Sequence, residues 1–430
     1  MAFAPIQILG SGLTGMSAAR HLGDGYDIHE KLGHVGGHAI TTETKGFRFD
    51  RTGHLLHLRD AEIRKWVDKL VGHDCVLVQR KSRIWSHGVY TRYPYQANTF
   101  GLPPDIAYEC LMGYFAALQA EASTPEPKTF EDFCLKFFGA GFSKHFMIPY
   151  NEKLWGIHPR DVTAEWCSRF VPRPKLEDVI AGAVGKNDVE LGYNTSFLYP
   201  SRGIGALPTA MHAELSQPVR FQHAPKAIDW RNKQLVFADG NVPYRALIST
   251  MPMDTLIATL LDPPKEIAEA GKKLRVNPLY YLDVALDVPC GVDLHWVYVP
   301  EQRYPFYRVG CYSHFSPQMA PPGKANLYVE LSSRKKPDMK QLLPEVAAAL
   351  VEMSIIQKPE QVLFANLELI DHAYVVYDHS YFGALALLRP FLEENRIISS
   401  GRYGGWNYSS MEDALLFGRD AAKSARELTP

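Results

Sequence analysis

Net charge is nearly absent from this chain: 46 Lys and Arg stand against 47 Asp and Glu over 430 residues, a balance of −1. Phosphate-driven nucleic-acid binding needs a basic surplus, so no nucleic-acid partner is expected. An anionic small ligand must instead be met by local arginines. Cysteine is sparse. Cys75, Cys110, Cys134, Cys167, Cys290 and Cys311 are scattered, and none forms a Cys-x-x-Cys pair. That spacing suggests neither a disulfide framework nor a metal site, so the six read as buried thiols of a reducing cytoplasm. No apolar run reaches the roughly 18 residues of a membrane span, so no transmembrane segment is expected. A strand candidate begins at Ile6, so no signal peptide is expected. Internal repeats and low-complexity tracts are lacking too. What remains is an ordinary globular composition, 46% hydrophobic and 22% charged, long enough for two or three domains.

The informative stretch is Ile6-Gln7-Ile8-Leu9-Gly10-Ser11-Gly12-Leu13-Thr14-Gly15. A short apolar run reads as a buried parallel strand. It enters Gly-x-Gly-x-x-Gly and then the helical pattern Met16 to Leu22. Gly10 permits a tight turn, Gly12 lets backbone approach a pyrophosphate, and Gly15 lets the helix pack close. A second strand, Tyr26 to His29, ends at Glu30, roughly 20 residues past Gly10, where a ribose-binding acid belongs.

Further along, Ala61 to Val71 has the pattern of an amphipathic helix. Val76–Val78, Ser82–Trp85 and Val89–Tyr93 read as short strands with a turn at His87-Gly88. Residues 103–171 read as mostly helical, with a capping box opening at Thr129 to Asp132. Phe142 and Phe146 read as core. Val219–Phe221, Ala227–Trp230 and Gln234–Phe237 read as a meander, and Ala246–Thr250 as a buried strand. Leu279–Leu286, His295–Val299 and Leu327–Leu331 read as strands of a mixed or antiparallel sheet, and Lys340–Glu352 as a helix.

Several segments carry a resemblance. Glu30-Lys31, then Gly36-Gly37-His38 and Thr41, resembles the FAD-binding start of the amine oxidase, protoporphyrinogen oxidase and UDP-galactopyranose mutase superfamily. Gly53-His54 followed by His57 resembles the mutases' loop against the isoalloxazine ring, with Leu56 in place of an aromatic. Tyr93 to Phe100 resembles their Leu-Pro-Ile-Asn-Leu-Asn-Thr-Phe, with Gln96 standing for Asn. Pro149-Tyr150-x-x-Lys153-x-Trp155, Pro305-Phe306-x-Arg308 through His314-Phe315, and Gly401-Arg402 through Tyr408 and Met411 match mutase segments. Tyr374 to Asp378 resembles their Tyr-Pro-Val-x-Asp, with Val375 for Pro, and Ser410 replaces an Asp. The mutases' tyrosine upstream of Tyr199 has no counterpart, since Ser196 or Phe197 falls there.

The resemblance implies an α/β fold with a Rossmann-like, discontinuous FAD-binding domain, an antiparallel or mixed sheet domain and a helical insertion. The expected divisions are 1–74, 190–270 and 385–430 for the FAD domain, 75–100 and 271–384 for the sheet domain, and 101–189 for the helical domain with a mobile loop. It implies cofactor contacts at Gly10, Gly12, Leu13, Thr14, Gly15, Glu30, Lys31, Gly36, Gly37, His38, Gly53, His54, Gly401, Arg402, Ser410 and Met411. Substrate contacts fall at Gln96, Tyr150, Trp155, Arg308, Tyr377 and Tyr408, and catalytic roles at Arg169, Arg402 and His54. Several arginines are expected to converge on a diphosphate above the flavin. The implied activity is interconversion of ring forms of a nucleotide-diphosphate sugar, with reduced flavin N5 as nucleophile and NAD(P)H or another external reductant. The implied setting is cytoplasmic synthesis of cell-surface polysaccharide, with a homodimer as the assembly to test. Two other readings stay open: an FAD-dependent oxidase or desaturase, and a flavoprotein that binds nucleotide sugars without turnover.

Overall fold

The computed structural model describes residues 5–167, 171, 173–186 and 195–428. Ile6–Leu9 is buried along its whole length, as a strand covered on both faces must be. It is the central strand of a parallel sheet ordered Ile397–Ser399, Leu247–Ser249, Ile6–Leu9, Tyr26–His29 and Val219–Arg220. The sheet thus draws strands from the beginning, middle and end of the chain. Gly10 ends the first strand at φ +98°, where a Cβ would lie 2.3 Å from Thr250 Oγ1. A Cβ on Gly15 would lie 1.9 Å from the Gly10 carbonyl oxygen, so only glycine permits this close helix approach. Helix Leu13–Leu22 packs on helix Met411–Glu427, and the Ser17 hydroxyl donates to the Leu415 carbonyl at 2.6 Å.

A second sheet has seven strands, ordered Val362–Val375, Val276–Leu286, Ala325–Leu331, Phe306–Cys311, Trp296–Tyr298, Ser82–Ser86 and Val89–Arg92. Its neighbours are antiparallel except Trp296–Tyr298 beside Ser82–Ser86. The two-residue period of a strand sorts the side chains by face. Leu282, Val284, Val309, Leu327 and Val329 form one core with Val346 and Leu350 of helix Met339–Glu352. Arg308, Tyr328 and Glu330 alternate with them and point to the other face. There a Cβ on Gly53 would come within 2.8 Å of the Tyr328 hydroxyl. The sheet therefore presents a polar, tyrosine-bearing face to the His54 loop.

The helical part comprises Pro104–Ala120, Phe130–Phe142 and Ile148–Trp155, the last two joined by a π-helical stretch, Ser143–Met147. Thr129 and Asp132 form the expected capping box, and Phe142 and Phe146 are core. Lys153 is buried. Its ammonium donates to the carbonyls of Val299, Glu301 and Phe306 at 3.2, 2.6 and 2.8 Å, which uses all three donors. Burial pushes its pKa down to about 7. Lys153 therefore ties the helix to the loop beyond Trp296–Tyr298.

Three expectations need correction. Val219–Arg220 joins the parallel sheet beside His29, while the meander is Ala227–Asp229, Gln234–Val236 and Asn241–Pro243. A two-residue edge strand carries too little pattern to assign. Cys75–Gln79 pairs with Ser196–Pro200 and not with the hairpin, although the hairpin does turn at His87-Gly88 with both residues at positive φ. The six cysteines are free thiols, but Cys75 and Cys290 are only half-buried, and Cys290 and Cys311 meet at His314. Spacing along the chain hides that cluster. No helix among the described residues is long and apolar enough to cross a membrane.

Candidate functional site

Three glycine-bearing segments meet where helix Leu13–Leu22 begins. The Gly36 N–H donates to the Ser11 carbonyl at 2.9 Å, and Gly12 bridges Gly36 in parallel. A Cβ on Gly12 would face the Gly37 Cα at 4.0 Å, and one on Gly37 the Gly12 Cα at 3.5 Å. Bare backbone therefore floors the gap between them. Gly401 closes a third side, since a Cβ there would lie 2.8 Å from Thr14 Oγ1. No side chain caps helix Leu13–Leu22, so its first N–H groups and dipole are left for an anion. Glu30 is buried and accepts from the Ser11 N–H, the Ser11 hydroxyl and the Leu32 N–H at 2.8, 2.9 and 2.9 Å. Two carboxylate oxygens retain acceptor capacity beyond these three bonds. The cradle fits a dinucleotide, with pyrophosphate over bare backbone and a ribose at Glu30. Lys31 is exposed at the strand end. Ser410 and Met411 open the last helix, where the Ser410 hydroxyl accepts from the Asp413 N–H and donates to its carboxylate. The Ser410 side chain is thus spent on capping.

His38 and His54 line the next part of the cleft. Arg51 donates to His38 Nδ1 at 3.3 Å, and the His38 ring meets Tyr403 edge-on. Burial first, then the charges of Arg51, His54 and Arg402, push His38 down to about 3. His54 Nδ1 is buried without a well-formed hydrogen bond, although the Thr52 and Arg51 backbone lies beside it. Burial, and beyond it the charges of Arg402 and Arg308, hold His54 near 4 against that opposing backbone. Both rings are neutral at physiological pH. Glu412 fixes the loop by accepting from the backbone N–H groups of Arg59 and Asp60.

Beyond His54 stands a wall of tyrosines with two arginines of different character. Arg402 donates through Nη1 to the Ser409 carbonyl at 2.7 Å and through Nη2 to the Ala373 carbonyl at 3.1 Å. Its guanidinium lies over Tyr408, Tyr374 and Tyr403 at 4.7, 5.7 and 5.8 Å. Among the described residues no carboxylate neutralises it, and an arginine does not lose its proton in a protein. Arg308 is instead gripped by Glu330 in a two-pronged pair at 2.9 and 2.5 Å, directly across the strand register. Glu330 is fully buried. Arg308 and Arg402 thus both bear on His54, but the charge of Arg308 is balanced by Glu330.

The remaining expected residues join this wall. Tyr150 stacks on Phe146 at 5.2 Å and meets Tyr298 and Tyr307 edge-on. Trp155 is buried against Tyr374 and Tyr377, and its Nε1 has no acceptor among the described residues. The Tyr377 hydroxyl accepts from the Tyr408 N–H at 2.8 Å. Gln96 is buried on the turn Tyr95–Ala97 after the cis Tyr93–Pro94 bond, and Tyr93 touches Tyr298. Arg169 lies outside the described residues.

Sequence reasoning missed Glu330, Arg51, Glu412 and the wall tyrosines Tyr298 and Tyr328, and placed Tyr374 in a matched segment without giving it a role. Arg80, over the Tyr93 ring at 5.4 Å, was missed as well. Glu330 had a signal: it is an acid inside the otherwise apolar and aromatic run Leu327–Leu331, and such an acid needs a partner.

A family model of flavin containing amine oxidoreductases matches residues 13–425. A crystal structure of reduced UDP-galactopyranose mutase superposes with a TM-score of 0.92 at 26% identity, covering 99% of this chain and 96% of that one. A putative protoporphyrinogen oxidase from Exiguobacterium shares the fold at a TM-score of 0.77 and 15% identity, covering 99% of this chain and 100% of that one. Among curated proteins, a dTDP-fucopyranose mutase of Escherichia coli is 25% identical over 183 residues, 40% of this chain and 47% of that protein. A probable UDP-galactopyranose mutase of Klebsiella pneumoniae is 25% identical over 201 residues, 44% and 50% respectively. The matches thus span about half the length of these curated relatives. With a match across nearly its whole length, the chain belongs to the family of flavin containing amine oxidoreductases.

Proposed function

We propose that this protein is an FAD-dependent mutase that interconverts pyranose and furanose forms of a nucleotide-diphosphate sugar. The observation that carries the reading is Arg402, a cation with no carboxylate partner among the described residues, roofed by tyrosines beside the dinucleotide cradle. A cationic amine substrate would be repelled there, while a diphosphate is attracted. The similarity to mutase structures and sequences supports the same choice over an amine oxidase.

When bound and reduced, the flavin supplies a nucleophilic ring nitrogen for the anomeric carbon. The chain's own groups do the rest. Arg402, joined by Arg169, stabilises negative charge as the diphosphate departs. Tyr408, Tyr377, Tyr150, Trp155 and Gln96 orient the nucleotide sugar, and neutral His54 with Gly53 shapes the floor beneath the sugar. Arg308, already balanced by Glu330, offers polar contact without net charge. NAD(P)H or another external reductant keeps the enzyme active, and we place it in the cytoplasm. The test is to assay nucleotide sugars with dithionite-reduced and with oxidised protein. Ring-form interconversion confined to the reduced protein is expected. Bleaching of the flavin by substrate, with recovery in air, would instead mark an oxidase.

A further inference from the structure

We propose that Cys290, Cys311 and His314 form a zinc site on the face of the seven-stranded sheet opposite the catalytic cleft. The ligand atoms of the three side chains all lie within 4.8 Å of one another. Zinc bonds of about 2.3 Å to sulfur and 2.0–2.1 Å to nitrogen separate tetrahedral ligand atoms by roughly 3.4–3.8 Å. Small side-chain rotations close that difference.

The surroundings suit a metal. Cys311 ends the strand Phe306–Cys311, and His314 sits three residues on, in the short helix Tyr312–Phe315. One helical turn therefore offers both a sulfur and an imidazole from the same side. The imidazole hydrogen-bonds through Nδ1 to the Leu294 carbonyl at 2.7 Å. A carbonyl only accepts, so Nδ1 carries the proton and Nε2 keeps a free lone pair. A backbone carbonyl behind the ring is how a metal-ligating histidine is usually oriented. The Cys311 sulfur lies 3.2 Å from the Ser313 hydroxyl, within the same turn. Cys290 comes from a different segment, whose position is fixed next door. The Gly291 N–H donates to the Ile355 carbonyl at 2.8 Å, and a Cβ on Gly291 would lie 2.3 Å from the Ser354 carbonyl oxygen.

Two thiolates and one neutral imidazole favour zinc over magnesium or calcium. On binding, each thiol releases its proton to solvent and its sulfur bonds the metal, while His314 binds without proton loss. The charge of the ion is then balanced by the two sulfurs, and water completes the tetrahedron. Arg308 and Cys311 are three residues apart on one strand, so their side chains leave opposite faces. The proposed role is structural: the metal clamps the loop around Cys290 to the end of the strand that carries Arg308.

The test uses the full-length chain without a polyhistidine tag, reduced, stripped with chelator and reloaded with zinc chloride. One zinc per chain by elemental analysis is expected, and X-ray absorption should show two sulfurs, one nitrogen and one water oxygen around it. Cys290→Ser, Cys311→Ser and His314→Gln should each weaken zinc binding at least tenfold. Reloaded protein that holds no stoichiometric zinc would overturn the proposal, as would zinc held equally by all three variants. So would zinc coordinated by oxygen and nitrogen alone, a readout that needs no variant to fold. A Cys290–Cys311 disulfide in the isolated protein, with no zinc uptake after reduction, would also overturn it.

Discussion

Arg402 and Arg308 occupy the same cleft and act on the same histidine, yet their electrostatic situations are opposite. Arg308 has a buried carboxylate across the register and is half of a closed pair. Arg402 meets carbonyl oxygens, the Tyr403 side chain and aromatic faces, and among the described residues no carboxylate balances its charge. The difference teaches that a count of arginines in a cleft says little. What matters is which of them still has charge to offer a ligand.

That contrast can be broken in order of effect. Arg402→Ala should lower kcat/KM by about 10²–10³-fold per flavin bound, the usual loss for one charge-stabilising donor. Steady-state kinetics on the true substrate checks this. Glu330→Gln should act on stability first. It strands the Arg308 charge, and breaking a fully buried pair costs about 3–5 kcal/mol. Because Arg308 keeps 22% side-chain exposure, about 2–3 kcal/mol is expected, read as a lower midpoint in urea denaturation. Glu330→Gln with Arg308→Met should recover most of that loss.

His54 sharpens the comparison through pH. Its folded pKa near 4 lies below the ordinary 6.5, so between those values the unfolded chain binds more protons. Its contribution is present above about pH 6.5 and is lost as pH falls toward 4. Asp50 has the opposite sign. Burial raises it to about 7 from 3.8, so its contribution is present at low pH and is lost as pH rises through 7. His54→Gln should therefore flatten the acid limb of the stability curve by up to about 1.4 kcal/mol per pH unit, measured by denaturation from pH 4 to 6.5. Smallest is Tyr377→Phe, which removes the acceptor for the Tyr408 N–H. About 1 kcal/mol is expected, or a several-fold rise in KM.

The two halves of the molecule were not equally legible. The cradle could be read because its constraints are local. Gly10 needs a positive φ, Gly15 needs contact with the preceding turn, and Glu30 sits at a fixed distance along one β-α-β unit. The wall is decided by register between distant segments. Arg308 meets Glu330 only because Phe306–Cys311 pairs with Ala325–Leu331 in one alignment. Gly310 leaves room for the Tyr328 ring, since a Cβ there would lie 2.1 Å from it. Neither fact is visible along the chain. Lys153 belongs to a matched motif, yet its ammonium is consumed by three carbonyls, so a shared motif carried structure as well as chemistry. The cluster of Cys290 with Cys311 and His314 likewise exists only once the loop and strand end are brought together.

The most direct measurement is calorimetric binding of a nucleoside diphosphate, UDP or dTDP, the leaving group of the proposed reaction, to the native protein, Arg402→Ala and Arg308→Met. Arg402→Ala is expected to weaken Kd by at least about 100-fold and to flatten its salt dependence, while Arg308→Met stays within about tenfold. Unchanged affinity in Arg402→Ala, or a larger loss in Arg308→Met, would contradict that expectation.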